Sequence, residues 1–218
     1  MRIHLKLSSN RVPVPFEHLH FLVGAFHKWV GTNEIHNDLS LYSLSWLKGG
    51  KASSKGLSFP EGTTWFISAY DETLIKSIIS GIRDSPDVCC GMTVKEIILQ
   101  QTPEFQTGKL FTVNSPVLVK ELIEKEQKHI SFSELKSDEI LTKTLKRKLS
   151  KAGLDEQGVN VYFDRTYSKA KTKLVNYRNI GNKANICPVI IEGTPEQLGF
   201  AWNVGVGNST GIGFGALN

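Results

Sequence analysis

The sequence predicts an α+β fold, because strand-like and helical segments follow the order β-α-β-β-α-β in the first half and partly repeat it in the second. This order is that of the ferredoxin-like, RRM-like unit. The chain has 218 residues, of which 40% are hydrophobic, enough for one or two packed domains. We therefore expect two ferredoxin-like halves side by side, over residues 1–105 and 106–218, with the second half a variant of the first.

In the first half, each segment has the periodicity of its predicted element. Residues 2–8 alternate as a strand, and residues 16–30 carry apolar side chains at helical spacing. Two strands are expected over 39–47 and 57–69, with a loose connection between them. A second helix with a stripe of leucine and isoleucine follows, and a strand over 94–99 completes the unit.

The second half contains the same kinds of element in a looser arrangement. A helix is expected over 137–152, with Gly153 suited to the position after its end. Another is expected from Pro195 to about Val204, because Thr194 can cap it and proline is favoured at the first helical position. Extended segments are expected at 109–113, 117–119, 160–167, 172–177, 187–192 and 212–217. The chain shows no linker between the halves, so we expect them to share an interface.

The charge of the chain is concentrated in one stretch. The formal net charge is +5, but residues 143–191 contain eleven basic and three acidic residues, so this stretch carries +8 and the rest carries −3. A basic stretch on a mildly acidic body favours a surface that binds a polyanion. A solvated helix and hairpin that are merely rich in lysine would give the same composition.

Composition also excludes several classes of protein. No window approaches the ~18 apolar residues of a membrane span, and the N-terminus lacks an apolar signal core. Cys89, Cys90 and Cys187 have no metal-binding spacing, which argues against a zinc finger and a disulfide framework. The acidic residues form no paired cluster. We expect a cytoplasmic protein that contacts no membrane and uses no metal or other cofactor.

The most specific feature is the glycine loop, residues 205–215, in which five of eleven residues are glycine. A Walker A loop is excluded, because no lysine follows the glycines, and the spacing does not match a dinucleotide-binding fingerprint. The loop could hold phosphates through its backbone amides. It could instead be a tail that uses glycine for close packing.

On these residues the chain resembles the CRISPR repeat endoribonucleases, the Cas6 family of the repeat-associated RNA-binding superfamily. The resemblance rests on the G-h-G-x-x-x-G-h-G-h-G pattern of the glycine loop, where h is hydrophobic, and on the apolar segment 189–204 before it. The segment Ser115-Pro116-Val117 and a first helix with histidine near its end add to it. The resemblance covers the whole chain and implies cleavage of precursor CRISPR RNA.

The resemblance also implies catalytic roles for two histidines. Metal-free RNA cleavage needs a base for the 2′-hydroxyl proton and an acid for the leaving 5′-oxygen, and imidazole can supply both. His36 matches the family histidine just after the first helix, and His27 matches a second active group at the end of that helix. Some members have a lysine a few residues later, where this chain has Leu39 and Ser40. The alternatives left open for the group that stabilises the phosphate are Lys48, Lys51 and the Tyr42 hydroxyl.

Two functions remain after this reasoning. The first is a metal-independent endoribonuclease that cuts CRISPR repeat RNA; the second is a non-catalytic RNA-binding subunit of a CRISPR ribonucleoprotein complex. Both imply CRISPR RNA as a partner and allow further CRISPR-associated subunits. The residues expected to hold RNA are Lys143, Lys146, Arg147, Lys151, Arg165, Lys173, Arg178, Gly205, Gly207, Gly211 and Gly213.

Overall fold

The computed structural model describes residues 1–31, 39–124 and 126–218. Within these ranges the chain folds into helices and antiparallel sheets, which confirms the predicted α+β class. None of the helices in the described part of the chain is both long and apolar enough to cross a membrane.

The first half forms a ferredoxin-like unit around a four-stranded antiparallel sheet. Its elements are β1 (Arg2–Leu7), α1 (Leu19–Val30), β2 (Tyr42–Leu44), β3 (Lys51–Ser53), β4 (Gly56–Ser58), β5 (Thr63–Ala69), α2 (Glu72–Asp84) and β6 (Val94–Gln100). The strand order β2-β5-β1-β6 is that of the ferredoxin-like fold, with β3 and β4 forming an added hairpin between β2 and β5.

The alternation of apolar and polar residues along β1 explains how this unit is packed. Ile3, Leu5 and Leu7 are buried in a core shared with α1 and α2. Helix α2 is capped at its start, because the Asp71 carboxylate accepts a hydrogen bond from the Thr73 backbone N–H. The strand predicted over 57–69 is instead divided into β4 and β5, since the chain turns between them at Gly62, whose φ is +79°.

The second half repeats the order around a smaller sheet. Its elements are β7 (Lys109–Phe111), β8 (Lys120–Ile123), β9 (Glu126–His129), α3 (Lys136–Lys151), β10 (Asn160–Phe163), β11 (Lys171–Tyr177), β12 (Ile180–Ile186), β13 (Val189–Glu192) and α4 (Pro195–Val204). The sheet order is β10-β13-β7, and Leu217 at the chain end forms a bridge with Val113 beside β7. The strand expected over 212–217 is therefore reduced to a single bridge.

Two hairpins are inserted into the second unit and make it a variant of the first. The β8–β9 hairpin follows β7, and the β11–β12 hairpin lies between β10 and β13. Sequence periodicity missed the first hairpin, because its strands are only partly buried and their apolar residues do not alternate with polar ones. The prediction of 117–119 as a strand is replaced by isolated bridges at Val117 and Leu118.

A buried arginine joins the two halves. The Arg2 guanidinium lies between the rings of Phe66 and Trp202, 3.9 and 3.6 Å from their centroids. Its Nη2 donates hydrogen bonds to the carbonyl oxygens of Trp202 (3.1 Å) and Leu217 (2.8 Å). At Arg2 the second half thus covers the face of the first sheet opposite α1 and α2, which fits the absence of a linker between the halves.

Candidate nucleic-acid interface

The glycine loop is folded back on itself and on a neighbouring segment of the second half. The Val206 N–H donates to the Gly215 carbonyl (3.0 Å), and the Gly215 N–H donates to that of Pro116 (2.9 Å). The Asn208 N–H donates to the Leu118 carbonyl (2.8 Å). The segment around Ser115-Pro116-Val117, noted for its resemblance to a family motif, is therefore the support on which the loop rests.

The glycines of the loop make room for protein atoms. A Cβ on Gly205 would lie 2.6 Å from the Gly215 carbonyl oxygen, and one on Gly207 would lie 2.5 Å from that of Leu118. A Cβ on Gly211 would lie 2.8 Å from the Tyr42 hydroxyl, and one on Gly213 would lie 3.1 Å from the Leu19 side chain. The structure thus provides a packing reason for these four glycines, while their contact with RNA stays a prediction.

A buried lysine, which sequence reasoning counted only as part of the basic stretch, anchors the loop. Lys148 of α3 is 2% exposed, and its Nζ donates to the Val204 carbonyl (2.9 Å), the Gly205 carbonyl (3.3 Å) and Thr210 Oγ1 (2.9 Å). Burial lowers the pKa of Lys148 to about 7. Since the Thr210 hydroxyl donates in turn to the Tyr42 carbonyl (2.8 Å), one set of hydrogen bonds joins α3, the loop and β2.

The first half contacts the loop through α1 and the chain around β2. Trp46 Nε1 donates a hydrogen bond to the Gly213 carbonyl (2.8 Å). The Tyr42 ring stacks on Phe26 of α1, with centroids 4.6 Å apart. His27, the residue after Phe26, is half-buried near the C-terminal end of α1. The end of α1 that carries one predicted catalytic histidine therefore lies beside the strand on which the glycine loop is seated.

The other predicted catalytic residue, His36, lies outside the described residues. In the sequence, only Asn37 and Asp38 separate it from Leu39. The Leu39 carbonyl accepts a hydrogen bond from the Nζ of Lys151 at the end of α3 (3.0 Å). One predicted RNA-binding lysine is therefore in contact with the chain that follows His36.

Tyr42, one of the three alternatives for the phosphate-stabilising group, lies under the glycine loop. It is 4% exposed, and burial raises the pKa of its hydroxyl while a hydrogen bond with Ser40 lowers it. A buried phenol beneath Gly211 is placed to support the loop. The backbone of Lys48 bonds to Thr63 and Thr64 of the first sheet, and Lys51 is exposed on the β3–β4 hairpin.

Two grooves border α3, and their charges differ. The outer groove, about 700 Å³, lies between α3 and the edge of its sheet, and the loop groove, about 470 Å³, lies between α3, the β8–β9 hairpin and the glycine loop. The charged residues of the outer groove are Asp138, Glu139, Lys143, Lys146, Arg147, Glu156 and Glu192. Those of the loop groove are Lys120, Glu121, Lys136, Glu139, Lys143 and Arg147. Acids outnumber bases in the first, whereas bases outnumber acids in the second.

The loop groove therefore has the charge that suits a polyanion. Its floor includes Asn208 of the glycine loop, whose Oδ1 accepts a hydrogen bond from the Lys120 backbone N–H (2.8 Å). Glu121 is paired with Lys136 at 2.6 Å, which leaves Lys120, Lys143 and Arg147 facing one acid, Glu139. Lys120 was missed by sequence reasoning, because it lies outside the basic stretch on a hairpin that periodicity did not reveal.

The remaining predicted RNA-binding residues lie apart from this groove. Arg165 forms an ion pair with Asp138 (2.7 Å) and donates to the Glu134 carbonyl (3.1 Å), which ties it to the start of α3. Lys173 lies over the Trp46 ring, 4.7 Å from its centroid. Arg178 occupies the tip of the β11–β12 hairpin with φ +47°. RNA contact by each of them stays a prediction.

Among the side chains that the structure describes, no group of three or more histidine, cysteine, aspartate or glutamate residues is placed to hold a metal ion.

The fold and the site define a protein with two ferredoxin-like domains and a basic groove beside a glycine loop. The family model for the CRISPR associated protein Cas6, C-terminal, matches residues 100–218, and the chain belongs to the Cas6 family of CRISPR repeat endoribonucleases. This confirms the resemblance stated from the sequence. Membership supports a role in CRISPR-associated RNA processing or binding. A search of curated proteins finds no match.

Solved structures share the fold over nearly the whole chain. A Cas6-related protein from Pyrococcus furiosus is 20% identical, with a TM-score of 0.85 over 100% of this chain and 97% of that one. A RAMP protein described as binding different RNA substrates is 19% identical, with a TM-score of 0.85 over 100% of this chain and 98% of that one. A Cas6 product complex is 13% identical, with a TM-score of 0.68 over 99% of this chain and 98% of that one. At these identities the matches establish the fold alone.

Proposed function

We propose that the protein is an endoribonuclease that cuts CRISPR repeat RNA in precursor transcripts to give mature CRISPR RNA, without a divalent metal. One observation carries the proposal. In this Cas6-family chain the glycine loop bonds to Tyr42 of β2, and the ring of Phe26, the neighbour of His27, stacks on Tyr42. Through Asn208 the same loop borders the basic loop groove of α3. We infer from this arrangement that a side chain able to transfer protons and a surface able to hold RNA serve the same loop.

The proposed reaction is an attack of the RNA on its own backbone. The 2′-oxygen forms a bond to the adjacent phosphorus, and the bond from phosphorus to the 5′-oxygen breaks. One imidazole accepts the 2′-hydroxyl proton, and another group donates a proton to the departing 5′-oxygen. The products are a 2′,3′-cyclic phosphate and a 5′-hydroxyl. We assign these two roles to His27 and His36, because imidazole can both accept and donate a proton near neutral pH.

Lys151 is our candidate to stabilise the charge of the reacting phosphate. Its ammonium contacts the Leu39 carbonyl, which follows His36 by three positions, and its side chain is exposed at the end of α3. A cation aimed at developing negative charge is among the largest contributions to this kind of catalysis. Lys120, Lys143 and Arg147 would hold the flanking phosphates in the loop groove.

The test is cleavage of a synthetic RNA that carries the CRISPR repeat of the source genome, with excess EDTA. We expect cleavage at one position, a 5′-hydroxyl that polynucleotide kinase can phosphorylate, and a 2′,3′-cyclic phosphate on the other fragment. A substrate with a single 2′-deoxynucleotide at the cut site should stay intact, because it lacks the attacking oxygen.

Two results would contradict the proposal. Activity that EDTA abolishes and magnesium restores would mean that a metal takes part. Tight binding of an intact RNA under all conditions would favour the second function, a non-catalytic RNA-binding subunit.

A further inference from the structure

A pocket distinct from the two grooves of α3 lies where the β11–β12 hairpin crosses the first half. It has a volume of about 510 Å³, within the usual ~300–1,000 Å³ of small-molecule sites. The start of α1, the chain after β2, the β3–β4 hairpin and β11 all contribute to its wall. The lining residues that matter here are Phe16, Glu17, Leu19, Trp46, Lys173 and Leu174.

Exposed apolar groups stand at the edge of this pocket. Phe16 is 59% exposed and Leu174 is 67% exposed, although both have large side chains that folding usually covers. Beside them, the Lys173 ammonium lies 4.7 Å from the centroid of the half-buried Trp46 ring. Exposed aromatic rings next to a cation are the combination that proteins use to hold single-stranded nucleic acid, since the ring stacks on a base and the cation meets a phosphate.

The acidic residue in the pocket wall, Glu17, is hydrogen-bonded to β11. Glu17 Oε1 accepts a hydrogen bond from Asn176 Nδ2 (2.7 Å), which ties the carboxylate to β11. Lys173 is exposed, so its ammonium can leave the Trp46 ring for a phosphate without loss of a buried contact. The charge of the pocket is thus compatible with an anionic ligand.

The pocket shares a wall with the glycine loop. Trp46 lines the pocket with its ring and donates its Nε1–H to the Gly213 carbonyl (2.8 Å). Leu19, another lining residue, is the side chain closest to Gly213. A strand of RNA that follows the glycine loop can therefore place a neighbouring nucleotide in this pocket.

We propose that this pocket binds one unpaired nucleobase of the RNA, stacked against Phe16, with Lys173 on the phosphate of the same nucleotide. The inference rests on the proposed RNA function, since it adds a second point of contact to the same ligand. The pocket contributes affinity that depends on the presence of a base, whereas the loop groove contributes affinity for the phosphate backbone.

The test uses two probes with the same backbone charge. One is oligoadenosine of about twelve nucleotides, and the other is an abasic ribose-phosphate oligomer of equal length. The full-length protein should bind the first more tightly. Phe16→Ala should weaken oligoadenosine binding by about 5- to 150-fold, the range of one lost base–aromatic stack, and leave binding of the abasic oligomer unchanged. Lys173→Ala should weaken binding of both.

Variants that keep or remove the ring separate stacking from folding. Phe16→Trp should retain the preference for base-bearing RNA, and Phe16→Leu should lose it. Phe21→Ala is the matched control, because Phe21 is also exposed, at 39%, and does not line the pocket. It should bind both probes as the unaltered protein does.

The outcomes distinguish the two proposals. If Phe16→Ala or Phe16→Leu retains the full preference for oligoadenosine, the pocket is not the base site. If the unaltered protein prefers neither probe but binds both, the base-binding inference is wrong and the RNA function stands. A protein that binds neither probe, nor the CRISPR repeat RNA, overturns both.

Discussion

At the scale of single residues, Lys148 shows how one lysine of a basic stretch can have a structural role. Its neighbours on α3, Lys143 and Arg147, face solvent, whereas the Lys148 ammonium is enclosed and donates to three oxygens. Two of these oxygens are carbonyls at the end of α4, where the helix dipole favours a cation. The third, on Thr210, belongs to the glycine loop, so one amino group holds both segments.

This burial predicts how stability depends on pH. The pKa of Lys148 falls from 10.5 to about 7 on folding. Between these values the unfolded chain holds a proton that the folded chain has released, so the free energy of unfolding rises with pH by up to ~1.4 kcal/mol per unit. Lys148→Met should remove this slope in urea denaturation from about pH 7 to about pH 9. Lys143→Met, on the exposed face, should retain it, and an unchanged slope in Lys148→Met would contradict the assignment.

The histidines provide a second prediction at this scale. His36→Ala should lower the single-turnover cleavage rate by ~10²–10⁴-fold, the usual contribution of general acid–base catalysis, and leave RNA affinity nearly unchanged. His27→Ala should behave in the same way. His20→Ala is the control, because the His20 ring bonds to the Glu17 carbonyl at the other end of α1. If the His36 variant cleaves RNA at the normal rate, the assignment of His36 as a catalytic residue is wrong.

At the scale of elements, the glycine loop depends on close backbone approach. Gly207→Ala should lower the free energy of unfolding for two reasons. The φ of Gly207 is +75°, a conformation that costs a residue with a Cβ ~1–2 kcal/mol, and the added Cβ would also press on the Leu118 carbonyl oxygen. Gly158→Ala is a matched control, since its φ is +74° and no atom lies within 4 Å of the added Cβ. Thermal or urea unfolding should show a larger loss of stability for Gly207→Ala than for Gly158→Ala. Equal losses of stability would mean that the loop shifts to accommodate the added methyl group.

At the scale of the whole molecule, charge is distributed so that one groove is basic while its neighbour on α3 is not. RNA held in the loop groove should release counterions at Lys120, Lys143 and Arg147. Replacing all three with alanine should therefore reduce the slope of log K against log salt by ~0.7–0.9 per residue. A triple variant of the exposed Lys55, Lys76 and Lys95, all in the first half, removes the same charge elsewhere. A larger change in slope in that control would place the RNA on the first half.

The sequence by itself determined the order of the elements and several of their ends. Helices α1, α2 and α3 follow from apolar spacing, and α4 begins at the capping residue Thr194, as predicted. The glycine loop and the basic stretch were also visible, because glycine spacing and charge are properties of the sequence itself. The Cas6 resemblance drawn from these features is confirmed by the family match.

Tertiary structure decided which of these residues meet. Lys148 and Lys151 are three positions apart, yet one is enclosed behind the glycine loop and the other is exposed against Leu39. Lys120 joins the groove from a hairpin that has no periodic signal. Periodicity reports which face of a helix is apolar, but the partner of a charged side chain is set by contacts between residues far apart in the chain. The sequence therefore identified the kinds of group in the site, and long-range packing selected which of them share a groove.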